Sequence, residues 1–525
     1  MAKQASRTTN TLFNFTTSIG GQLVTILMQF VTRTVFIQTL GKSYLGISGL
    51  FSNILTMLSL AEFGVGSAIL FKLYEPIAKE DHHRIAVLMK FYKTVYRVIG
   101  LGVALIGLCL IPFLPMLIKD YGRLAELHIN TVLIFLLYLL NSVASYLFFA
   151  YKSAIIKANQ KEYLINVISY FFTVGSGIVQ MIALLLFRNF ELYVLIAVGT
   201  VIVQNIVYAR LSDKMYPYIN EKTDDRISWS EVKGIFKDCA ALFLYKLNNV
   251  VLKATDNIVL AKFVGLTVVG EYSNYYVFYT ALRTLVNKVF TSVSHSLGNL
   301  HASGDKEHEY RIFKSVHLIA VTLGGVCCVG IFVVADEFIR VWIGEDWVLP
   351  QPFALLMGLE LFTLALRLML GKYRTAMGLF RQAKFRPVAG MIINLAASII
   401  LVQFWGICGV LAGTLIADWT TYMWYDPIIL HRHGFGDASL VKAYFKNNFK
   451  YLAAVALCGA VDWMICTHFL TGLGWFSVGV HAVICGLTVP CVMVGISIRT
   501  QEGQYVYKLG MGYIRKITKK LKKRG

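Results

Sequence analysis

The sequence predicts an all-α polytopic membrane protein, and three observations carry that expectation. Its 525 residues are 57% hydrophobic and 15% charged, with a mean hydropathy of +0.62, more apolar surface than a soluble core can hide. Nine prolines are spread over long apolar stretches of helix-permissive residues, whereas barrel strands would show alternating segments of about ten residues. The third observation is an internal repeat. Two apolar spans, a Gly-bearing turn and a basic loop between Gln22 and Arg84 return in the same order around Lys246 to Arg311.

In the first copy one helical face reads Gln22, Thr25, Gln29, Thr32 and Arg33; in the second it reads Lys246, Asn249, Lys253, Asp256 and Asn257. Gly41 and Gly46 then match Gly265 and Gly270, and the run from Lys79 to Ile85 matches Lys306 to Ile312. A further anchor is Tyr151-Lys152-Ser153-Ala154, which resembles Tyr373-Arg374-Thr375-Ala376.

Taken in order, the apolar segments predict about fourteen spans. The first two, near 12–38 and 46–71, are joined by the turn Leu40 to Gly46. Spans three to six lie near 98–118, 127–151, 164–187 and 192–210. Spans seven to twelve lie near 239–263, 271–298, 315–335, 351–371, 387–405 and 407–430, and spans thirteen and fourteen near 451–471 and 475–497. The expected organisation is an N-lobe at 1–210, a solvated linker at 211–237, a C-lobe at 238–430, the two extra spans within 431–498, and a basic tail at 499–525. Six spans per half is an even number, so the two lobes share one orientation in the membrane. The first span is too long and too polar for a signal peptide and is expected to remain.

A net charge of +21 would suggest nucleic acid in a soluble protein. Here most of the 50 Lys and Arg residues fall in the loops on the N-terminal side, which is the signature of cytoplasmic loops, so both termini are expected to be cytoplasmic and no nucleic-acid partner is implied. The tail Lys516 to Arg524 is expected to lie along anionic lipids of the inner leaflet. Nine cysteines scattered through the spans without a C-x-x-C pair imply neither a disulfide framework nor a zinc site. His431-Arg432-His433 reads as a wet loop rather than a metal site.

Charged and amide side chains inside spans are costly and mark functional or paired positions. Asn14, Ser18, Gln22, Thr25, Gln29 and Arg33 form one polar face expected to line a cavity, with helix-to-helix hydrogen bonding as the alternative. In span seven Lys246 and Lys253 stand a heptad apart with Asn249 between them, and Asp256 either neutralises Lys253 or couples a cation. Span eight carries Tyr272, Tyr275, Tyr276, Tyr279 and Arg283 at helical spacing, an aromatic stripe that ends in a cation and suggests a wet face. In span ten Glu360, Thr363 and Arg367 share a face, with Arg367 either binding, snorkelling or pairing. Glu62, Asp418, Asp426 and Asp462 are candidates for proton or sodium coupling, none singled out by spacing.

Gly64-Val65-Gly66 sits inside a span with no strand before it and is read as close helix packing. Asp224-Asp225 and Glu345-Asp346 stand alone, and the outer loops are too short for a catalytic domain. No catalytic residue, metal or cofactor is therefore assigned, and nothing in the residues reads as an enzyme.

The order Leu40-Gly41, Tyr44-Leu45-Gly46, Gly49-Leu50-Phe51, Asn53-Ile54-Leu55, Leu58 to Gly64 and Leu73 to Ala78 resembles the bacterial Wzx-type oligosaccharide flippases, which are related to MATE exporters and lipid II flippases. Val264-Gly265-Leu266, Gly270 to Tyr276, Gly298-Asn299-Leu300 and Phe385-Arg386-Pro387 extend the similarity in patches over essentially the whole chain. The resemblance implies a carrier of an undecaprenyl-diphosphate-linked oligosaccharide across the bacterial cytoplasmic membrane by alternating access, for surface polysaccharide biosynthesis, working beside other polysaccharide-assembly proteins. An anionic diphosphate agrees with a cavity bearing Arg33, Lys246, Lys253, Arg283 and Arg367, with Gln22, Gln29, Asn249, Asp256, Tyr275 and Tyr279 as polar lining. A MATE-like exporter of small organic cations is the alternative and would want an acid-rich cavity; an integral-membrane polymerase is a third.

Overall fold

A computed structural model describes residues 7–62, 65–119, 121–122, 129–221, 223, 225, 227–235, 255–302, 305–379, 382–383, 385–470, 472, 474–508 and 511. Lys246, Asn249 and Lys253, the basic tail from Lys516, Gly64, Asp224 and the side chain of Gln22 lie outside what it describes. The described chain is built from helices joined by short turns. In order these are α1 (Arg7–Leu40), α2 (Lys42–Leu58), α3 (Val65–Ala78), α4 (His82–Leu110, carried on by further helical turns to Leu117), α5 (Thr131–Leu147), α6 (Ser153–Ala158), α7 (Glu162–Phe187) and α8 (Phe190–Met215). A helical run at 255–263 leads to α9 (Leu266–Ala302), α10 (Lys306–Ile343), α11 (Pro352–Ala376), α12 (Arg386–Trp405), α13 (Ile407–Ile429), α14 (Leu440–Phe469) and α15 (Trp475–Ser497).

The chain divides into two compact units, Met1–Gly270 and Glu271–Gly525. In the first, α1 packs on α7, and α5 packs on α4 and α8. In the second, α10 is central, against α11, α14 and α15, and α12 pairs with α13. Close helix contacts use small residues: a Cβ at Gly413 would stand 2.6 Å from the backbone nitrogen of Ser398, and one at Gly358 the same distance from the Cys328 carbonyl oxygen. Large apolar side chains face outward on the remaining surface, among them Phe171 at 74% and Phe404 at 76% exposed, as a hydrocarbon environment permits.

Eight helices are long and apolar enough to cross a membrane, or nine if α5 and the bent segment Ala150–Ala158, which meet at 44°, form one span. The expected fourteen is not reached among the described residues by this measure. The shortfall has local causes: α2 has 17 residues, α9 carries Arg283 and Lys288, and α13 carries Asp418 and Asp426. The segment expected as one span at 46–71 is broken at Ser59–Glu62 into a tight 3-10 turn. There the Ser59 hydroxyl donates to the Thr56 carbonyl at 2.7 Å, the kind of back-bonding that bends helices.

The repeat is visible in backbone detail. Gly41 and Gly265, 224 positions apart, both adopt positive φ, at 84° and 129°, immediately before α2 and α9. Asp81 and Asp305, also 224 apart, both cap the following helix, each accepting from the backbone N–H three residues on at 2.9 Å. The look-alike runs from Lys79 and Lys306 are therefore three residues out of register: capping, not charge, marks the equivalent positions. Each half also places a cation from the Tyr151/Tyr373 motif against an acid near the end of its sixth expected span. Lys152 Nζ lies 2.5 Å from Asp213, and Arg374 Nη1 lies 3.7 Å from Asp426.

Two expectations change. The segment after α8 is not a free solvated connection: Tyr216, Ile219 and Ile235 join an apolar cluster with α3, α4 and α6, Arg84 pairs with Glu231, and His83 Nε2 lies 2.7 Å from Asp225. Nor is His431 in a wet loop. It is fully buried in a π-helical turn, Leu430–Phe435, packed edge-on to Phe313 with Nδ1 2.7 Å from the Pro427 carbonyl.

Candidate functional site

The second unit carries a row of charges set by two helical stripes. On α11, Glu360, Arg367 and Arg374 recur every seven residues; on α13, Asp418, Tyr422 and Asp426 recur every four, so each set lies along one face. The two helices pack together, and the stripes join as cation to acid. Arg367 Nη1 donates to Asp418 Oδ1 at 2.7 Å, and Arg374 reaches Asp426 two turns further along. From α12, Arg386 also pairs with Asp426. Tyr422 stands between the two pairs, with the Arg386 guanidinium 4.1 Å and the Arg367 guanidinium 5.1 Å from its ring centroid, which adds cation–π attraction. Asp418 and Asp426 are almost wholly buried.

From α9, Tyr279 donates to Glu360 Oε1 at 2.6 Å, and Arg283, one turn on, lies within electrostatic range of Glu360, Arg367 and Asp418. Every other charge in this set is engaged by a neighbour. Arg283 alone makes no side-chain hydrogen bond or ion pair among the described residues. With Arg283, Arg367, Arg374 and Arg386 set against Glu360, Asp418 and Asp426, the set has one more guanidinium than carboxylate. Such a row, half-buried at Arg283, can hold an anion at its uncommitted end.

The remaining assigned residues are dispersed. Arg33 is half-buried on α1, within electrostatic range of Tyr193 on α8, while Gln29 is exposed. Asp256 is buried on the 255–263 run. Tyr275 is buried, its hydroxyl donating to Asp336 at 2.7 Å and accepting from the Leu349 N–H at 3.2 Å. The Tyr275 and Tyr279 rings thus pack inside the unit with their hydroxyls committed to acids. In the first unit Tyr92 donates to Tyr96 at 2.9 Å and Tyr96 to Glu62 at 2.8 Å, so Glu62 has a hydrogen-bonded setting of its own. Among the described residues, no three His, Cys, Asp or Glu side chains are grouped to hold a metal ion.

Sequence reasoning left Arg367 open between binding and pairing, and it pairs. It left Asp418 and Asp426 unplaced and did not assign Arg374 or Arg386 to the site. The signal was present in the spacing of 418, 422 and 426, which is one face of a helix; what was absent was the identity of the helix across from it.

These features define a multi-pass, helical membrane protein. The lipid II flippase MurJ in its inward closed conformation superposes with a TM-score of 0.67 at 13% identity, covering 93% of this chain and all of that one. An inward-facing multidrug resistance MATE family transporter of the MOP superfamily gives 0.56 at 14% identity over 80% of this chain and 96% of that one. A point mutant of the Vibrio cholerae MATE transporter VcmN gives 0.50 at 16% identity over 83% and 100%. The family described as polysaccharide biosynthesis protein matches residues 12–294, more than half of the chain, and the chain belongs to that family. No curated protein matches it significantly.

Proposed function

We propose that the protein is a flippase that moves an undecaprenyl-diphosphate-linked oligosaccharide from the inner to the outer leaflet of the bacterial cytoplasmic membrane by alternating access, with both termini cytoplasmic. The observation that carries this reading is Arg283: a half-buried guanidinium that makes no side-chain hydrogen bond or ion pair among the described residues, in a row with one more guanidinium than carboxylate. A diphosphate supplies the partner that such a group lacks, and guanidinium is suited to bidentate phosphate binding. Arg33, Lys246 and Lys253 remain candidate cations for this cargo, with Gln22, Gln29, Asn249 and Asp256 as candidate polar contacts. Membership of the polysaccharide biosynthesis family and the fold shared with a lipid II flippase support the class of cargo. A MATE-like exporter of organic cations needs acids free to meet its cargo, and Glu360, Asp418 and Asp426 are each engaged by Tyr or Arg.

The test is flipping of a fluorescent lipid-linked oligosaccharide in proteoliposomes. Arg283→Gln should slow transport by about tenfold or more, the loss of one charge-assisted bond, with Arg283→Lys intermediate. Unchanged flipping by correctly folded Arg283→Gln would refute the site. Absence of flipping by the wild type together with efflux of organic cations would support the exporter.

A further inference from the structure

A second cation cluster lies in the first unit. It surrounds a cavity of about 360 Å³ lined by Lys90, Lys93, Lys152, Tyr151, Asn220 and Glu221, among others, within the range of about 300–1,000 Å³ usual for ligand sites. A smaller cavity of about 180 Å³ adjoins it, sharing Lys93 and Tyr151 and adding Arg97.

The four cations are not equivalent. Lys152 is spent on Asp213 and Asn220, at 2.5 and 3.1 Å, and Lys90 on the Thr223 carbonyl at 2.5 Å. Lys93 and Arg97, one turn apart on α4, make no side-chain hydrogen bond or ion pair among the described residues. Lys93 is half-buried and within electrostatic range of both Arg97 and Lys152. Arg97 and Glu221, the acid lining the cavity, are exposed, so the like charges of Lys93 and Arg97 repel at a partly solvated wall, and an anion that joins them relieves that repulsion.

The surroundings indicate how that anion arrives. Leu101 and Leu105 follow Arg97 at steps of four on the same face of α4 and are 62% and 65% exposed. Arg97 is thus the last charge before an outward apolar stripe, the level at which a bilayer changes from headgroup to hydrocarbon. The loop joining α3 and α4 is on the side that the Lys and Arg distribution assigns to the cytoplasm.

We propose that this cavity is a binding site for the phosphate-bearing headgroup of a membrane lipid, gripped by Lys93 and Arg97 with the lipid chain lying along Leu101 and Leu105. The site is independent of the transport reading, because it concerns residues outside the Arg283 row and is tested by binding rather than flipping.

The experiment is native mass spectrometry of the full chain released from detergent, with phosphatidylglycerol, geranylgeranyl diphosphate, phosphatidylcholine and inorganic pyrophosphate as separate probes. The two anionic lipids should bind the wild type, with affinity lowered about tenfold or more in Lys93→Gln/Arg97→Gln and restored in Lys93→Arg/Arg97→Lys. Lys157→Gln, an exposed lysine that does not line the cavity, should bind as the wild type does. Size-exclusion profiles and melting temperatures establish that the variants are folded, and the charge-keeping variant separates a lost contact from a lost fold. Equal lipid binding by wild type and the Gln variant would overturn the site, and pyrophosphate binding as tight as that of the lipids would place a free anion there and overturn the lipid assignment. Equal binding of phosphatidylcholine would also overturn it, by showing that net anionic charge is not read.

Discussion

Gly46 and Gly270 hold equivalent places in the two copies of the repeat, and each lies against the backbone that opens the other's helix. A Cβ on Gly46 would stand 1.9 Å from the Leu266 carbonyl oxygen, and one on Gly270 would stand 2.5 Å from the Lys42 carbonyl oxygen. Both contacts are inside the first unit, so that unit closes on the start of α9 through a reciprocal backbone contact in which neither side admits a side chain.

Gly46→Val should therefore be among the most damaging single substitutions in the chain. Its neighbour is backbone, which cannot rotate away, so the helices must separate and the packing loss should be on the order of 3 kcal/mol or more. Gly41→Ala meets no atom within 4 Å and should cost only the backbone strain of φ 84° with ψ −169°, about 1–3 kcal/mol. Melting temperatures of purified protein order the two; a Gly46→Val variant as stable as wild type would show that the close approach is not present.

Arg386 and Asp426 form a pair sealed from solvent. Removing Asp426 leaves the buried Arg386 guanidinium without its carboxylate, whereas removing Arg386 leaves Asp426 still facing Arg374 at 3.7 Å, so Asp426→Leu should lower stability by about 3–5 kcal/mol and Arg386→Leu by less. The double variant should recover much of that loss. A double-mutant cycle on thermal or denaturant unfolding checks it, and additive losses would argue against coupling.

Tyr279→Phe removes a hydrogen bond to a carboxylate, whereas Thr363→Val removes the acceptor of the neutral Trp419 bond at 3.0 Å. The first should cost about 1.5–3 kcal/mol and the second about 1 kcal/mol. The order of the two in an unfolding series is the measurement, and a Thr363→Val loss larger than that of Tyr279→Phe would contradict the charge-assisted bond.

His431 lies just past α13, and burial lowers its imidazole pKa below the ordinary value of 6.5, against the opposing pull of the Pro427 carbonyl and Asp437. With the folded pKa below the unfolded one, the unfolded chain binds the extra proton first. This contribution to stability is full above about pH 6.5 and falls as the pH drops below it, by at most about 1.4 kcal/mol per pH unit. Melting temperature followed from pH 7.5 to 5 should decline, and His431→Phe should flatten the decline. An unaltered slope in that variant would remove His431 as a source.

The membrane class, the helical content and the duplicated Gly turns were legible because hydropathy and backbone conformation are local properties. Gly41 and Gly265 could be paired by eye, since a turn of positive φ restricts the residue as strongly in one copy as in the other. The loop register was misread where like charges at Lys79 and Lys306 outweighed the capping aspartates Asp81 and Asp305, although Asp ahead of a helix is a readable start signal. The ion pairs were not legible. Arg367 meets Asp418 across 51 positions and Arg386 meets Asp426 across 40, and no periodicity within one helix reports which helix lies opposite. The burial of His431 was hidden for the same reason, because Tyr310 and Phe313, which cover it, come from α10.

The two motif pairs, Lys152 with Asp213 and Arg374 with Asp426, also differ in stiffness. Asp213 is 38% exposed and Asp426 is 1% exposed, so water can replace the partner of the first acid at little cost but cannot reach the second. The same ion pair is thus loosely held in one unit and sealed in the other. Heat and salt should loosen the first pair before the second, giving the duplicated architecture a built-in order of yielding.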